Sequence, residues 1–155
     1  MTVRTGLGID THRFAPGRRL VLGGVESPFD RGLDGHSDAD VLAHAVTDAI
    51  LGAAALGDIG AHFPDTDPAW KDADSIGLLR EAVALAARDG WRVEHVDATV
   101  MLERPKLAPF RAEIAARLAA ATGGTVSVKA TTGEGMGFVG REEGVAALAV
   151  ATLER

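Results

Sequence analysis

Asp10 and His12 in GLGIDTHRF, together with His44 in HSDADVLAHAVTDAILGA, offer a carboxylate and two imidazoles that could share one metal ion. One oxygen and two nitrogens suit zinc with a coordination position left open, which distinguishes a catalytic site from a closed structural one. D-x-H by itself is short and common, and a strand end hydrogen-bonded to a turn accounts for it equally well. His44 adds weight: in steps of four, His36, Asp40, His44 and Asp48 fall on one stripe of a predicted helix beside its apolar face. A polar stripe that is buried needs partners. More plainly read, Asp40 caps the helix, Asp48 is solvated, and a lone helical histidine is an ordinary core residue; turned inward, Asp48 could instead orient His44.

A second cluster comprises Thr131, Thr132, Gly133, Glu134, Gly135 and Gly137. Two hydroxyls and a flexible backbone can surround a phosphate with donors, and Glu134 offers a hard oxygen to Mg²⁺, an ion that keeps several waters and bridges phosphates. The competing explanation is a plain glycine-rich turn. Arg141 could pair with a phosphate or only with Glu142 and Glu143, and Lys106 after Pro105 could simply be solvated at a loop start. Asp58, Gly60, Asp65 and Asp67 can be turn and cap residues, or acceptors for the hydroxyls of a polyol.

The elements that must position these residues are legible from periodicity. Arg4 to His12 is a predicted strand with Leu7 and Ile9 on one face and Gly8, Asp10 and His12 on the other. A hairpin over Arg19 to Val25 and a loop from Phe29 to Gly35 follow. From Ser37 the pattern is helical, with Val41, Leu42, Ala45, Val46, Ala49, Ile50, Ala53 and Ala54 as one apolar stripe and Ser37 with Asp40 as a capping box. Gly57 to Asp74 is expected to be a loop, long for a compact domain and so a place for function. A helix from Asp74 or Ser75 to near Gly90 comes next. Trp91 to Leu102 is a predicted strand, Glu103 to Pro109 a loop, and an alanine-rich helix then runs to about Thr122 and closes on Gly123 and Gly124. A strand from Thr125 to Ala130 and a glycine-rich loop to Gly140 follow, and then an apolar element from Glu143 to Leu153 whose composition, VAALAVATL, suits strand or helix; strand is favoured, because alternation is lost when both faces are covered. These elements imply an α+β sandwich: a mixed sheet of about four strands with helices on one face, and a short hairpin.

With 155 residues, 46% of them hydrophobic, one domain spanning residues 1–155 is expected. The net charge of −6 argues against non-specific binding to nucleic acid. Without cysteine, a metal must be held by nitrogen and oxygen. No apolar stretch suggests a signal peptide or approaches the roughly 20 residues of a membrane span, so a cytoplasmic protein with neither membrane nor nucleic-acid partner is expected.

GLGIDTHRF, HSDADVLAHAVTDAILGAAALGDIGAHFPDTDPAWKDADS, ERPKL, VKATTGEGMGF and GREEG together resemble the 2-C-methyl-D-erythritol 2,4-cyclodiphosphate synthase family of the non-mevalonate isoprenoid pathway, over nearly the whole chain. The block from His36 to Ser75 is the most specific part. The resemblance implies a CMP-releasing phosphorus–oxygen lyase acting on 4-diphosphocytidyl-2-C-methyl-D-erythritol 2-phosphate. It implies a homotrimer with sheets facing the three-fold axis and active sites between subunits, with Zn²⁺ and a second divalent ion, Mg²⁺ or Mn²⁺. It implies Asp10, His12 and His44 as zinc ligands and Glu134 as a ligand of the second ion, with His36 and Thr132 stabilising the transition state. The substrate would lie along Asp10, Thr11 and His12, with His36 and Ser37 at its phosphate. The methylerythritol part would meet Asp58, Ile59, Gly60, Phe63, Pro64, Asp65, Thr66 and Asp67. The cytidine side would meet Leu102, Pro105, Lys106, Leu107, Ala108, Thr131, Thr132, Gly133 and Glu134, with Phe138 and Arg141 completing the site. Departures from the family pattern include Thr11 for valine, Ala39 for glycine in S-D-G-D, and Gly133 and Gly135 where bulkier residues are common. A zinc phosphohydrolase and a non-catalytic trimer binding a nucleotide or isoprenoid remain as alternatives, since the ligand set also suits metal-bound water.

Overall fold

A computed structural model describes the chain from Met1 to Arg155. Its elements in order are β1 (Val3–Ala15), β2 (Leu20–Leu22), β3 (Val25–Ser27), β4 (Gly32–Leu33), α1 (Val41–Ala53), α2 (Ile59–His62), a 3-10 turn (Pro68–Trp70), α3 (Ser75–Arg88), β5 (Arg92–Met101), α4 (Arg111–Thr122), β6 (Thr125–Thr131), α5 (Gly137–Gly140) and β7 (Gly144–Glu154). The main sheet has the order β4-β1-β7-β5-β6 and is mixed, because β6 joins β5 in parallel while the other pairs are antiparallel. It holds five strands, not four. The extra one is β4, which pairs with Phe14 and Ala15 inside the segment expected to be a loop. Two residues leave no period to detect. The hairpin β2-β3 forms its own small sheet and reaches Ser27, beyond the expected end at Val25.

Helix α1 is the centre of the core. Every residue in it except Asp48 and Gly52 is buried, so it is enclosed by the sheet on one side and α3 on the other instead of presenting a single stripe. Burial of side chains such as Leu42, Val46 and Ile50 stabilises by about 1.5–3 kcal/mol each. The helix comes down onto β1 at Gly6 and Gly8. A Cβ at Gly6 would lie 2.1 Å from the Ala49 carbonyl oxygen, and one at Gly8 1.8 Å from that of Ala45. Nothing larger than glycine fits.

The helix begins later than its pattern predicts. Its cap is Asp40, whose Oδ1 accepts from the Ala43 and Gly23 amides at 2.9 Å each and whose Oδ2 accepts from the Gly24 amide at 2.7 Å. Asp40 therefore ties α1 to the β2-β3 turn as well as capping it. The expected capping box with Ser37 does not form, since the Ser37 hydroxyl accepts from Ala39 instead. His36 and Asp40 consequently lie outside the helix, and only His44 and Asp48 of the expected stripe belong to it.

The stretch from Gly57 to Asp74 is not a bare loop. It contains α2, capped by Asp58, and the 3-10 turn, capped by Asp67. The Thr131–Gly140 segment likewise ends in α5. Both helical pieces are too short to show a 3.6-residue period. The expected strand at the C-terminus is present as β7, but its two faces differ. Val145, Ala147, Ala149, Ala151 and Leu153 are buried toward the helices, whereas Val150 is 43% exposed on the other face, beside Leu7 at 59% and Ile9 at 54%. That far face is apolar and open in the isolated chain. No helix is long and apolar enough to cross a membrane.

Burial pushes the Asp40 carboxyl up to about 6, against three amide hydrogen bonds that favour its ionised form. A carboxyl raised in the fold contributes stability below its ordinary range and loses that contribution as pH climbs through about 6. Relative to Asp40→Asn, the native chain should therefore gain melting temperature as pH is lowered from about 7 to about 4. A gap between the two that does not change with pH would refute this account of Asp40.

Candidate metal centre and the surrounding clefts

Period-two geometry places Asp10 and His12 on the same face of β1 as Gly8, the face that α1 covers. His44, the residue just before Ala45 at that close approach, brings its ring to both of them. Asp10 Oδ2 lies 2.9 Å from His12 Nε2 and 3.1 Å from His44 Nδ1, and the two imidazole nitrogens are 3.3 Å apart. A tetrahedral zinc with bonds of about 2.0–2.1 Å has donor edges of about 3.3 Å, so this triangle has the size of one face of a zinc polyhedron. It is the chain's one group of three such side chains with donors close enough to hold an ion.

The partners behind the ligands support the same assignment. His12 Nδ1 donates to the Asp34 carbonyl at 2.7 Å, which turns Nε2 toward Asp10. His44 Nε2 lies 2.8 Å from the Ser75 hydroxyl, so Nδ1 is the nitrogen turned to the triad. Burial is the largest influence on the Asp10 carboxyl and would raise it, but the adjacent His12 and His44 imidazoles together outweigh it and hold the group down at about 2. Burial also opposes charge on His12, yet the Asp10 hydrogen bond and charge prevail and raise its imidazolium above the ordinary 6.5. Without a metal, Asp10 and His12 thus share a proton, and a divalent cation would displace it to reach one anionic oxygen and two imidazole nitrogens.

The triad lines a cavity of about 400 Å³ with Gly35, His36, Ser37, Ile59, Gly60, Phe63, Pro64, Asp65, Trp70 and Leu78. Ile59, Gly60, Phe63, Pro64 and Asp65 of the sequence-based site thus border the same cavity as the triad. Thr66 is exposed on the loop beside them, and the carboxylates of Asp58 and Asp67 are used as caps, accepting from Ala61 and Ala69. His36 reaches the cavity from the preceding loop and bonds the Asp67 carbonyl at 3.2 Å, which ties that loop to the site. The Ser37 hydroxyl turns inward to His44 Nε2 at 3.2 Å. Asp48 does not orient His44: its carboxylate accepts from the Ile59 amide and so fixes the start of α2.

The second cluster occupies separate concavities. Leu102, Pro105, Lys106, Leu107, Ala108, Thr131 and Thr132 line one of about 250 Å³, and Thr132, Gly133, Glu134 and Phe138 share another of about 380 Å³. Phe138 also borders a third, with Thr11 and His12, which connects the Glu134 loop to the metal edge. Within this loop Gly133 is required by space, since a Cβ there would lie 2.8 Å from both the Gly140 nitrogen and the Met136 oxygen. Arg141 pairs with Glu143, while Glu142 is taken by Arg104 and Arg31. The largest concavity, about 730 Å³ and lined by Arg19, Arg80 and Arg117 among others, shares no residue with the metal cavity.

Asp34, Ser75, Trp70 and Leu78 were absent from the sequence-based site. Asp34 acts through its backbone carbonyl, which side-chain pattern cannot reveal. Ser75 alone had a signal, as a hydroxyl in DADS directly before an apolar helix.

Comparison with known proteins settles the family. The chain matches the sequence model of the YgbB family over residues 3–154. It belongs to that family. Among YgbB relatives, a bifunctional enzyme IspD/IspF of Anaeromyxobacter dehalogenans is 67% identical over 99% of this chain, which spans only 40% of that enzyme's length. A 2-C-methyl-D-erythritol 2,4-cyclodiphosphate synthase of Salinibacter ruber is 61% identical over 98% of this chain and 99% of its own. A solved 2C-methyl-D-erythritol-2,4-cyclodiphosphate synthase in a CDP-bound form superposes with a TM-score of 0.89 at 38% identity, covering 97% of this chain and 100% of that one.

Because protonated His12 competes with a metal, apparent zinc affinity should rise with pH from about 6 to about 8, with protons released on binding. Chelator competition measures this. An affinity independent of pH over that range would contradict the ligand assignment.

Proposed function

We propose that the chain converts 4-diphosphocytidyl-2-C-methyl-D-erythritol 2-phosphate into 2-C-methyl-D-erythritol 2,4-cyclodiphosphate and CMP, as a cytoplasmic phosphorus–oxygen lyase of isoprenoid biosynthesis formed by one domain over residues 1–155. The observation that carries this is the Asp10-His12-His44 triad at the wall of a cavity lined by the YgbB loop residues. The full-length match to the Salinibacter synthase and the CDP-bound structural relative support it.

The reaction is an intramolecular phosphoryl transfer. An oxygen of the 2-phosphate attacks the β-phosphorus of the diphosphate, the bond from that phosphorus to the bridging oxygen breaks, and CMP departs with the electron pair. The substrate supplies its own nucleophile, so the protein's part is positioning and charge compensation. Bound Zn²⁺ and a second divalent ion, Mg²⁺ or Mn²⁺, supply the positive charge that a chain of net −6 lacks. Asp10, His12 and His44 would hold the zinc, which would supply Lewis-acid charge to a phosphate. Glu134, exposed on its loop, offers a carboxylate to the second ion. His36 and Thr132 donate to phosphoryl oxygens, Ser37 lies beside the phosphate, and Lys106 with Thr131 meets the cytidine diphosphate.

Three chains are proposed to assemble with their sheets around a three-fold axis, each active site taking its metal residues from one subunit and its Leu102–Ala108 and Thr131–Glu134 residues from the next. The open apolar face of Val3, Leu7, Ile9 and Val150 supports this, as does the separation of the two clusters into different concavities within one chain.

Incubation with substrate should yield CMP and the cyclic diphosphate, and exhaustive chelation should abolish both. Inorganic phosphate or a linear product would indicate a phosphohydrolase instead, and nucleotide binding without turnover in metal-replete protein would indicate a binding protein. Ile9→Asp should convert the trimer into monomers in sedimentation and remove most turnover. A trimer of unchanged stability in this variant would overturn the proposed arrangement.

A further inference from the structure

We propose that Ser75 and Asp38 are positioning residues of the metal centre, holding His44 in the tautomer whose proton is on Nε2 so that Nδ1 presents a lone pair to the ion. This rests on the assignment of Asp10, His12 and His44 as metal ligands. The argument is a count of protons. The Asp38 carboxylate has none to give: its Oδ1 accepts the Ser75 hydroxyl proton, and its Oδ2 accepts from the Ser75 amide at 3.1 Å. A hydroxyl has one proton, and that of Ser75 is committed to Asp38. At its 2.8 Å contact with His44 Nε2, the Ser75 oxygen can therefore only accept. Nε2 carries the ring proton toward the Ser75 oxygen, the Ser37 hydroxyl at 3.2 Å from Nε2 has the Ser75 oxygen at 3.5 Å to take its own proton, and Nδ1 of the neutral ring is bare.

Burial gives this count its force. Ser75 is fully buried and Ser37, whose oxygen lies 3.2 Å from the same Nε2, is nearly so. Bulk water cannot replace Ser75 as an alternative acceptor without opening the start of α3. The same hydroxyl also registers the two halves of the site, since Ser75 opens α3, Asp38 precedes α1, and His44 lies in α1. Asp38 thus acts on the metal through Ser75 and His44, whereas Asp48, one turn further along α1, gives its carboxylate to the Ile59 amide.

Two substitutions test the count. Ser75→Ala removes the acceptor, and Asp38→Asn supplies an amide that can donate to Ser75, freeing the hydroxyl proton to face Nε2 and reversing the ring. Each should weaken zinc binding by about 10- to 100-fold in chelator competition with zinc alone at about pH 8. In metal-free protein, ¹⁵N shifts of the histidine rings should report a proton on Nε2 of His44 in the native chain and a mixed or reversed tautomer in the variants. A native His44 protonated on Nδ1 overturns the proposal whether or not the variants fold. So does zinc binding within about twofold of native in both variants. A native chain that takes up no zinc overturns the metal assignment together with this proposal, whereas intact native binding with unaffected variants overturns this proposal alone.

Discussion

The contact that the site depends on is the direct approach of α1 to β1. Where most helices rest on a sheet through side chains from both, the helix here meets Gly6 and Gly8 with its Ala45 and Ala49 carbonyls almost against the strand backbone. That proximity sets the next residues along each element, Asp10 and His12 on β1 and His44 on α1, within hydrogen-bonding distance. A side chain at Gly8 would force strand and helix apart and separate the ligands at the same time. Fold stability and ligand geometry are therefore the same packing constraint seen at two points along one interface.

Around that interface the polar residues have divided duties. Asp40 and Asp48, both on or beside α1, spend their carboxylates on backbone amides of neighbouring segments and lock the ends of the helix to the β2-β3 turn and to α2. Asp10 is left as the one carboxylate aimed at the two imidazoles. Its negative charge persists at any physiological pH because His12 and His44 hold its carboxyl low despite burial. With a net charge of −6 the chain as a whole does not attract a polyanion, so the proposed reaction requires cations held at this centre.

The long elements and the central triad were legible in the sequence because they carry periodicity. Alternation along β1 put Asp10 and His12 on one face, and the helical spacing of Leu42, Val46 and Ile50 placed His44. The start of α1 was not legible, since His36 and Asp40 continue the four-residue spacing into a segment where Asp40 has turned to cap the helix. The assignment of Asp48 behind His44 failed for a related reason: position on a helix gives a direction but not which of two nearby partners has the better geometry, and Ile59 won Asp48 while Ser75 won His44. β4, α2 and α5 were too short to show any period. The loops that border the cavities were singled out by motif resemblance alone, and the separation of the two clusters into distinct concavities emerges only from the folded chain.

The central claim is that Asp10, His12 and His44 converge on one zinc ion. Crystals grown with zinc, measured at energies just above and below the zinc absorption edge, test it most directly. The account predicts an anomalous peak within about 2.0–2.2 Å of Asp10 Oδ2, His12 Nε2 and His44 Nδ1 together, with a further position open toward the cavity. An ordered triad with no anomalous peak, or zinc bound elsewhere on the chain, would contradict it.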